Sequence, residues 1–177
     1  MWWSSGLPMQ RDDIFWRSSQ SGGRATQRFK KGKTTYGSYG DVAAVDPVGK
    51  LLLKAFTIEL KRGYPKCIPG DLLDSNGSKN LWTQWLVQVR RSAEQAGSKG
   101  WMLIAKRNHR VPMVYLDYGS VKVLSQTPIT YKHFLFTPPT ARFYVMCGKK
   151  HVRFVALTLE NFLAYVTPEH VKNYARS

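Results

Sequence analysis

Along Phe56-Thr57-Ile58-Glu59-Leu60-Lys61 apolar and polar side chains alternate. An extended strand sends successive side chains to opposite faces, so Phe56, Ile58 and Leu60 share one face and Thr57, Glu59 and Lys61 the other. A carboxylate and an ammonium therefore project side by side from an otherwise apolar strand. Asp41 opens the preceding segment, Asp41–Asp46, and cross-strand pairing would bring its carboxylate near them. A hard divalent cation such as Mg²⁺ takes one or two carboxylate oxygens and keeps water and phosphate oxygens as its other ligands. It acidifies water and offsets charge on a phosphate, while an adjacent lysine orients the water and stabilises the transition state. The bland alternative is an ordinary Glu–Lys pair on a surface strand, since Glu-x-Lys alone occurs by chance in many chains. Gly40-Asp41-Val42 upstream makes the combination more specific. Asp46, beside Pro47, is the rival ligand if the strand register shifts by one face.

The rest of the composition fits a phosphate-rich partner. The chain has 177 residues, with 27 Lys and Arg against 11 Asp and Glu, for a net charge of +16. Arg24, Arg28, Lys30, Lys31 and Lys33 form one basic block, and Lys61, Arg62 and Lys66 a second. Lys106, Arg107, His109 and Arg110 form a third; Lys149, Lys150, His151 and Arg153 a fourth. With few acids to offset them, these blocks favour nucleic-acid binding over a merely solvated surface. They lie in glycine-rich or strand-like contexts, not on one face of an amphipathic helix, which argues against a membrane surface. No apolar run approaches the ~18 residues of a membrane span.

MWWSSGLPMQRDD does not read as a secretory signal, and two cysteines fit a reducing cytoplasm. His109, His133, His151 and His170 are scattered and lack zinc spacing. No phosphate-binding glycine motif is present, so no nucleotide cofactor is expected.

The elements that must position these residues can be read coarsely. Residues 1–10 read as a flexible tail and 11–17 as a short helix or turn burying Ile14 and Phe15. Ser18 to Gly40 reads as a long, mobile, cationic loop. Asp41–Asp46 and Leu51–Lys61 read as the two strands of a β-hairpin. Asn80–Ala96 has helical periodicity, with Leu81, Trp82, Trp85, Leu86, Val89 and Ala93 on one apolar stripe and Gly97 as cap. Trp82 and Trp85 read as core for that reason. Gln84, Gln88, Arg91 and Gln95 lie on the opposite face. Strands are expected at Trp101–Ala105, Met113–Leu116, Phe143–Met146 and Val152–Leu157, and a helix at Leu159–Tyr165 ending near Pro168. The order implies an α/β domain around a small mixed sheet flanked by helices.

Gly40-Asp41-Val42 with Glu59-Leu60-Lys61 resembles the PD-(D/E)xK nuclease superfamily, with Gly40 where that pattern usually has proline. Arg11-Asp12-Asp13 followed by Ser21-Gly22-Gly23 resembles the first helix and loop of its Holliday junction resolvase-like branch, and the chain also looks like small phage-encoded members. The likeness covers roughly residues 11–117, with 118–177 a C-terminal α+β extension of the same domain. It implies a restriction-endonuclease-like core and a Mg²⁺-dependent endonuclease, with Mn²⁺ a substitute. Asp41, Glu59 and Asp12 or Asp13 would hold the metal, Lys61 would assist the attacking water, and a glutamine, Gln84 or Gln88, would lie nearby. The 22–33 loop and Arg62 would grip DNA. A resolvase would act on branched DNA as a two-fold dimer in the cytoplasm, of the host if phage-encoded. The competing expectations are a basic nucleic-acid-binding protein without catalysis and a restriction- or repair-type nuclease of linear DNA.

Overall fold

A computed structural model describes residues 2–4, 11–18, 39–64, 67–74, 80–124, 140–147 and 150–177. Strand β1 (Phe15–Arg17) pairs antiparallel with β2 (Val42–Ala44), with Phe15 opposite Ala44 and Arg17 opposite Val42. A 3-10 turn at Pro47–Gly49 then leads into helix α1 (Lys50–Ala55), and β3 (Phe56–Arg62) follows without a loop. The expected hairpin is therefore not formed, and the second strand starts at Phe56 instead of Leu51. Asp46 accepts the Val48 N–H as an N-cap, Pro47 occupies the first position, and Leu52 and Ala55, three residues apart, are buried. A short apolar run such as LLLKAF fits either period; here the capped 3-10 turn leads straight into it and Leu52 and Ala55 share one buried helical face. Residues 15–17 likewise form a strand, not the expected helix or turn, because their backbone groups are taken up by β2.

After β3 come a single turn, α2 (Asp71–Asp74), the long helix α3 (Leu81–Ala96), and β4 (Gly100–Lys106). Asn80 accepts the Trp82 N–H at the start of α3, and Gly97 ends it at φ 64°. The helix is the crossover that lets β3 and β4 run parallel, with Lys61 opposite Ala105 and Arg62 opposite Lys106. Then follow β5 (Met113–Asp117), α4 (Tyr118–Leu124), β6 (Thr140–Cys147), β7 (Lys150–Thr158), α5 (Leu159–Tyr165) and α6 (Pro168–Arg176). The sheet has the order β3-β4-β5-β7-β6, antiparallel except for β3 and β4.

Both faces of the sheet are covered. Met102, Leu116, Val155 and Leu157 pack on one face against α1, α4, α5 and α6 through Leu52, Val121, Phe162 and Val171. Leu103, Tyr115, Phe154 and Ala156 pack on the other against Trp82, Trp85, Leu86 and Val89 of α3. Leu81 is exposed, so the apolar stripe of α3 begins at Trp82.

Two further expectations change. Trp2–Ser4 forms a 3-10 turn, Trp3 is buried, and the indoles of Trp2 and Trp3 donate to the carbonyls of Val166 and Val48. This part of the supposed tail is docked because two large aromatics find core surface there. Pro168 starts a helix: Thr167 and His170 form a capping box ahead of α6, which Pro168 opens in the first-turn position where proline is tolerated. The 148–149 junction and most of the 18–40 segment lie outside the described residues, as do Ser21-Gly22-Gly23. β7 sits between β5 and β6, so residues 150–158 are part of the main sheet.

Candidate active site

Asp41 reaches β3 along its unpaired edge. Its N–H donates to the Ile58 carbonyl at 2.7 Å, and its Oδ2 accepts the Leu60 N–H at 2.8 Å. The two bonds bracket Glu59. On the other side Ser18 donates its N–H to the Asp41 carbonyl at 2.9 Å and its hydroxyl to the Gly40 carbonyl at 2.6 Å. Gly40 has φ +81°, and a Cβ there would lie 2.7 Å from the Ile58 oxygen. Proline, locked near φ −65°, cannot adopt that conformation. The glycine thus allows the backbone to pass close enough to β3 for Asp41 to bind it.

Glu59 and Lys61 point to the α3 side of the sheet, as alternation requires. Trp85, Gln88 and Ser92 recur at helical spacing along the helix surface that meets them. Gln88 donates from Nε2 to Glu59 Oε2 at 3.2 Å and accepts Lys61 Nζ on Oε1 at 3.1 Å. Lys61 Nζ lies 3.4 Å from Glu59 Oε2, and Ser92 Oγ donates to Glu59 Oε1 at 3.4 Å. One step down the strand, the hydroxyls of Thr57 and Ser98 meet at 2.9 Å. The Glu59 side chain is 5% exposed. Burial, and then the charge of Asp41, push its carboxyl above the usual glutamate range, with Lys61 pulling the other way.

Asp12 and Asp13 do not join this pair into a cluster: among the described residues no three His, Cys, Asp or Glu side chains gather at one point. Asp12 is exposed. Asp13 binds Arg11 at 2.8 Å, and Arg11 also reaches Asp46 at 2.7 Å. The Arg11 bond holds the Asp13 carboxyl below its usual range; the Val48 N–H, then Arg11, do the same for Asp46. Asp46, the rival ligand, is thus committed to a cap and an ion pair. The glutamine at the Glu59–Lys61 pair is Gln88; Gln84, one turn earlier, is exposed. Ser92 was not anticipated, and its only sequence signal is the four-residue spacing from Gln88. Arg62 is exposed and falls on the opposite face from Lys61. Arg24, Arg28, Lys30, Lys31 and Lys33 lie outside the described residues. Because β3 and β4 are parallel, the basic 106–110 turn stands beside the end of β3, where Gly63 donates to the Lys106 carbonyl at 3.2 Å.

Asp41 and Glu59 are hard oxygen donors within each other's electrostatic reach, and one ammonium only partly offsets them. Such a pair lowers its energy by binding a cation, so the residues present fit Mg²⁺ or Mn²⁺.

A mixed sheet with helices on both faces, carrying an aspartate and a Glu-x-Lys strand, is the restriction-endonuclease-like core of the PD-(D/E)xK nuclease superfamily. A family model described as "phage putative PDDEXK endonuclease" matches residues 7–173, and the chain belongs to that family. The match runs past residue 117 and takes in most of the C-terminal strands and helices. No curated protein and no solved structure matches the chain. No helix among the described residues is long and apolar enough to cross a membrane.

Proposed function

We propose that this chain is a Mg²⁺-dependent DNA endonuclease that hydrolyses phosphodiester bonds at Asp41, Glu59 and Lys61. The observation that carries it is the enclosed Glu59 carboxyl, raised by burial and by Asp41, with the Lys61 ammonium beside it. Asp41 and Glu59 would hold the cation, which when bound supplies an acidified water and charge stabilisation at the phosphate. The chain's own groups do the rest. The ammonium of Lys61 has three donors. Two are directed to Glu59 and Gln88, and the third is left to orient a water or bind a phosphate oxygen. Gln88 keeps Glu59 and Lys61 at fixed separation and Ser92 steadies the second carboxylate oxygen, so both groups enter the reaction pre-positioned. Asp41, anchored to the β3 backbone, completes the site without the first-motif acid that Asp12 or Asp13 would supply.

Branched DNA is the substrate class that the resolvase likeness favours, and a two-fold dimer would follow from nicking two symmetric strands. The test is cleavage of four-way junction, flap and linear DNA with Mg²⁺ or Mn²⁺, by the wild type and by Glu59→Ala. The expected result is metal-dependent cutting, strongest on the junction and lost in the variant. Equal cutting of all three substrates removes the branched preference. No cutting by the wild type, or equal cutting by Glu59→Ala, removes the nuclease reading and leaves a basic binding protein.

A further inference from the structure

Beyond Lys61 the α3 side of the sheet opens into a cavity of about 110 Å³. Its walls are aromatic: Tyr64 meets Trp85 with ring centroids 4.9 Å apart, Trp85 meets Trp82 at 5.2 Å, and Trp82 meets Tyr115 at 4.7 Å. Each pair is edge-to-face. Arg107 and Arg110, from the turn after β4, and Lys61 itself also line it. Among the described residues, the buried side-chain polar atom without a hydrogen-bond partner is Trp82 Nε1, on a residue that lines this cavity. Buried donors are nearly always satisfied, so an orphan beside a cavity is a reason to look for an acceptor supplied from outside.

We propose that this cavity accepts a nucleobase unstacked from the DNA strand whose phosphate lies at Lys61. The inference rests on the nuclease reading above, which is what puts a DNA strand there. The cavity is smaller than the roughly 300–1,000 Å³ of a drug-sized site, which suits a single ring system and not a whole nucleotide. Every base has an aromatic face to set against aromatic walls and at least one carbonyl oxygen or ring nitrogen to accept an indole N–H. The charge is complementary as well. Burial pushes the Tyr115 phenol up to about 12 and the Cys67 thiol up to about 11, so the walls are neutral at physiological pH while the rim is cationic. A base enters the neutral interior and its flanking phosphates stay with Lys61, Arg107 and Arg110. Tyr64, 41% exposed and packed edge-to-face on Trp85, is the aromatic of the lining that is open to solvent as well.

The test is equilibrium binding in EDTA, where nothing is cut. The probes are a short oligothymidylate and an abasic strand of equal length, which keeps the phosphates and removes the bases. The wild type is expected to bind the base-bearing strand about 5- to 150-fold more tightly, the range for stacking one base on aromatic side chains. Val111 lines the same cavity and is 60% exposed, so Val111→Trp fills the space without disturbing the core. It should abolish the preference, read against the same variant's own affinity for the abasic strand. Trp82→Phe, which removes only the donor, should reduce the preference. Equal binding of both strands by the wild type, or an undiminished preference in Val111→Trp, overturns the proposal. Because binding is read without metal, loss of the nuclease reading through absent cleavage is seen separately from loss of the base pocket.

Discussion

Asp41 is hydrogen-bonded to both backbone neighbours of Glu59: its N–H to the Ile58 carbonyl and its carboxylate to the Leu60 N–H. The second acid of the site is thus carried on the strand of the first, although the two stand 18 positions apart in the chain with β2, a turn and α1 between them. The same contact satisfies two groups on the edge of β3, the Ile58 carbonyl and the Leu60 N–H, which an unpaired strand edge otherwise offers to other chains.

Gly40 is the residue that permits this approach. Gly40→Ala places a Cβ against the Ile58 oxygen at a φ that alanine disfavours. The expected loss of stability is about 1–3 kcal/mol, measured by urea denaturation, with cleavage falling further than the folded fraction. An alanine variant with unchanged stability and cleavage would show that the close passage is not required.

Glu59 is stabilised for binding at a cost to the metal-free fold. Its carboxyl lies above the ordinary value of 4.5, so the folded state holds a proton more readily than the unfolded one. Stability from this group is complete below the unfolded value and is lost as pH rises through the folded one. Glu59→Gln should therefore melt higher than wild type in EDTA at neutral pH, with the gap closing in acid. Adding Mg²⁺ should raise the melting temperature of the wild type alone. A variant that melts lower at neutral pH contradicts the carboxyl repulsion.

Gln88 touches both Glu59 and Lys61, and partners of that kind are worth about 10–100-fold in metal affinity or activity. Gln88→Ala is expected to lose that much in kcat/KM, with Gln84→Ala losing less. Equal losses at the two positions would mean that the Gln88 contacts do not position Glu59 and Lys61.

Lys61→Met should reduce kcat by about 10²–10³, as for removal of a donor to developing charge, with metal affinity little changed because the carboxylates remain. Titration of Mg²⁺ by calorimetry, beside single-turnover cleavage, separates the two effects. If kcat is retained, Lys61 serves only to neutralise Glu59.

Trp3→Ala tests the docking of the N-terminal turn. Trp3 is 4% exposed, and removing a buried aromatic of this size costs about 3–5 kcal/mol. Thermal or urea denaturation should show it, whereas a tail lying free in solvent would show no change.

Local chemistry made much of this molecule legible in its sequence. The alternation at Phe56–Lys61 determined which side chains share a face, Gly97 marked the end of α3, and four of the sheet strands stand where their apolar runs do. The surplus of 27 bases over 11 acids pointed to a phosphate partner, and the family match agrees with it. Tertiary structure decided what is relative between segments. LLLKA became a helix, continuing the capped turn at Pro47–Gly49, because Leu52 and Ala55 bury one helical face despite its strand-like composition. Asp13 and Asp46 were drawn to Arg11 and away from Glu59, and Gln88, not Gln84, met Lys61. Period and spacing specify the face of an element but not its offset against another. That offset comes from packing, here of the Trp82–Val89 stripe on Leu103 and Tyr115, and no local pattern encodes it.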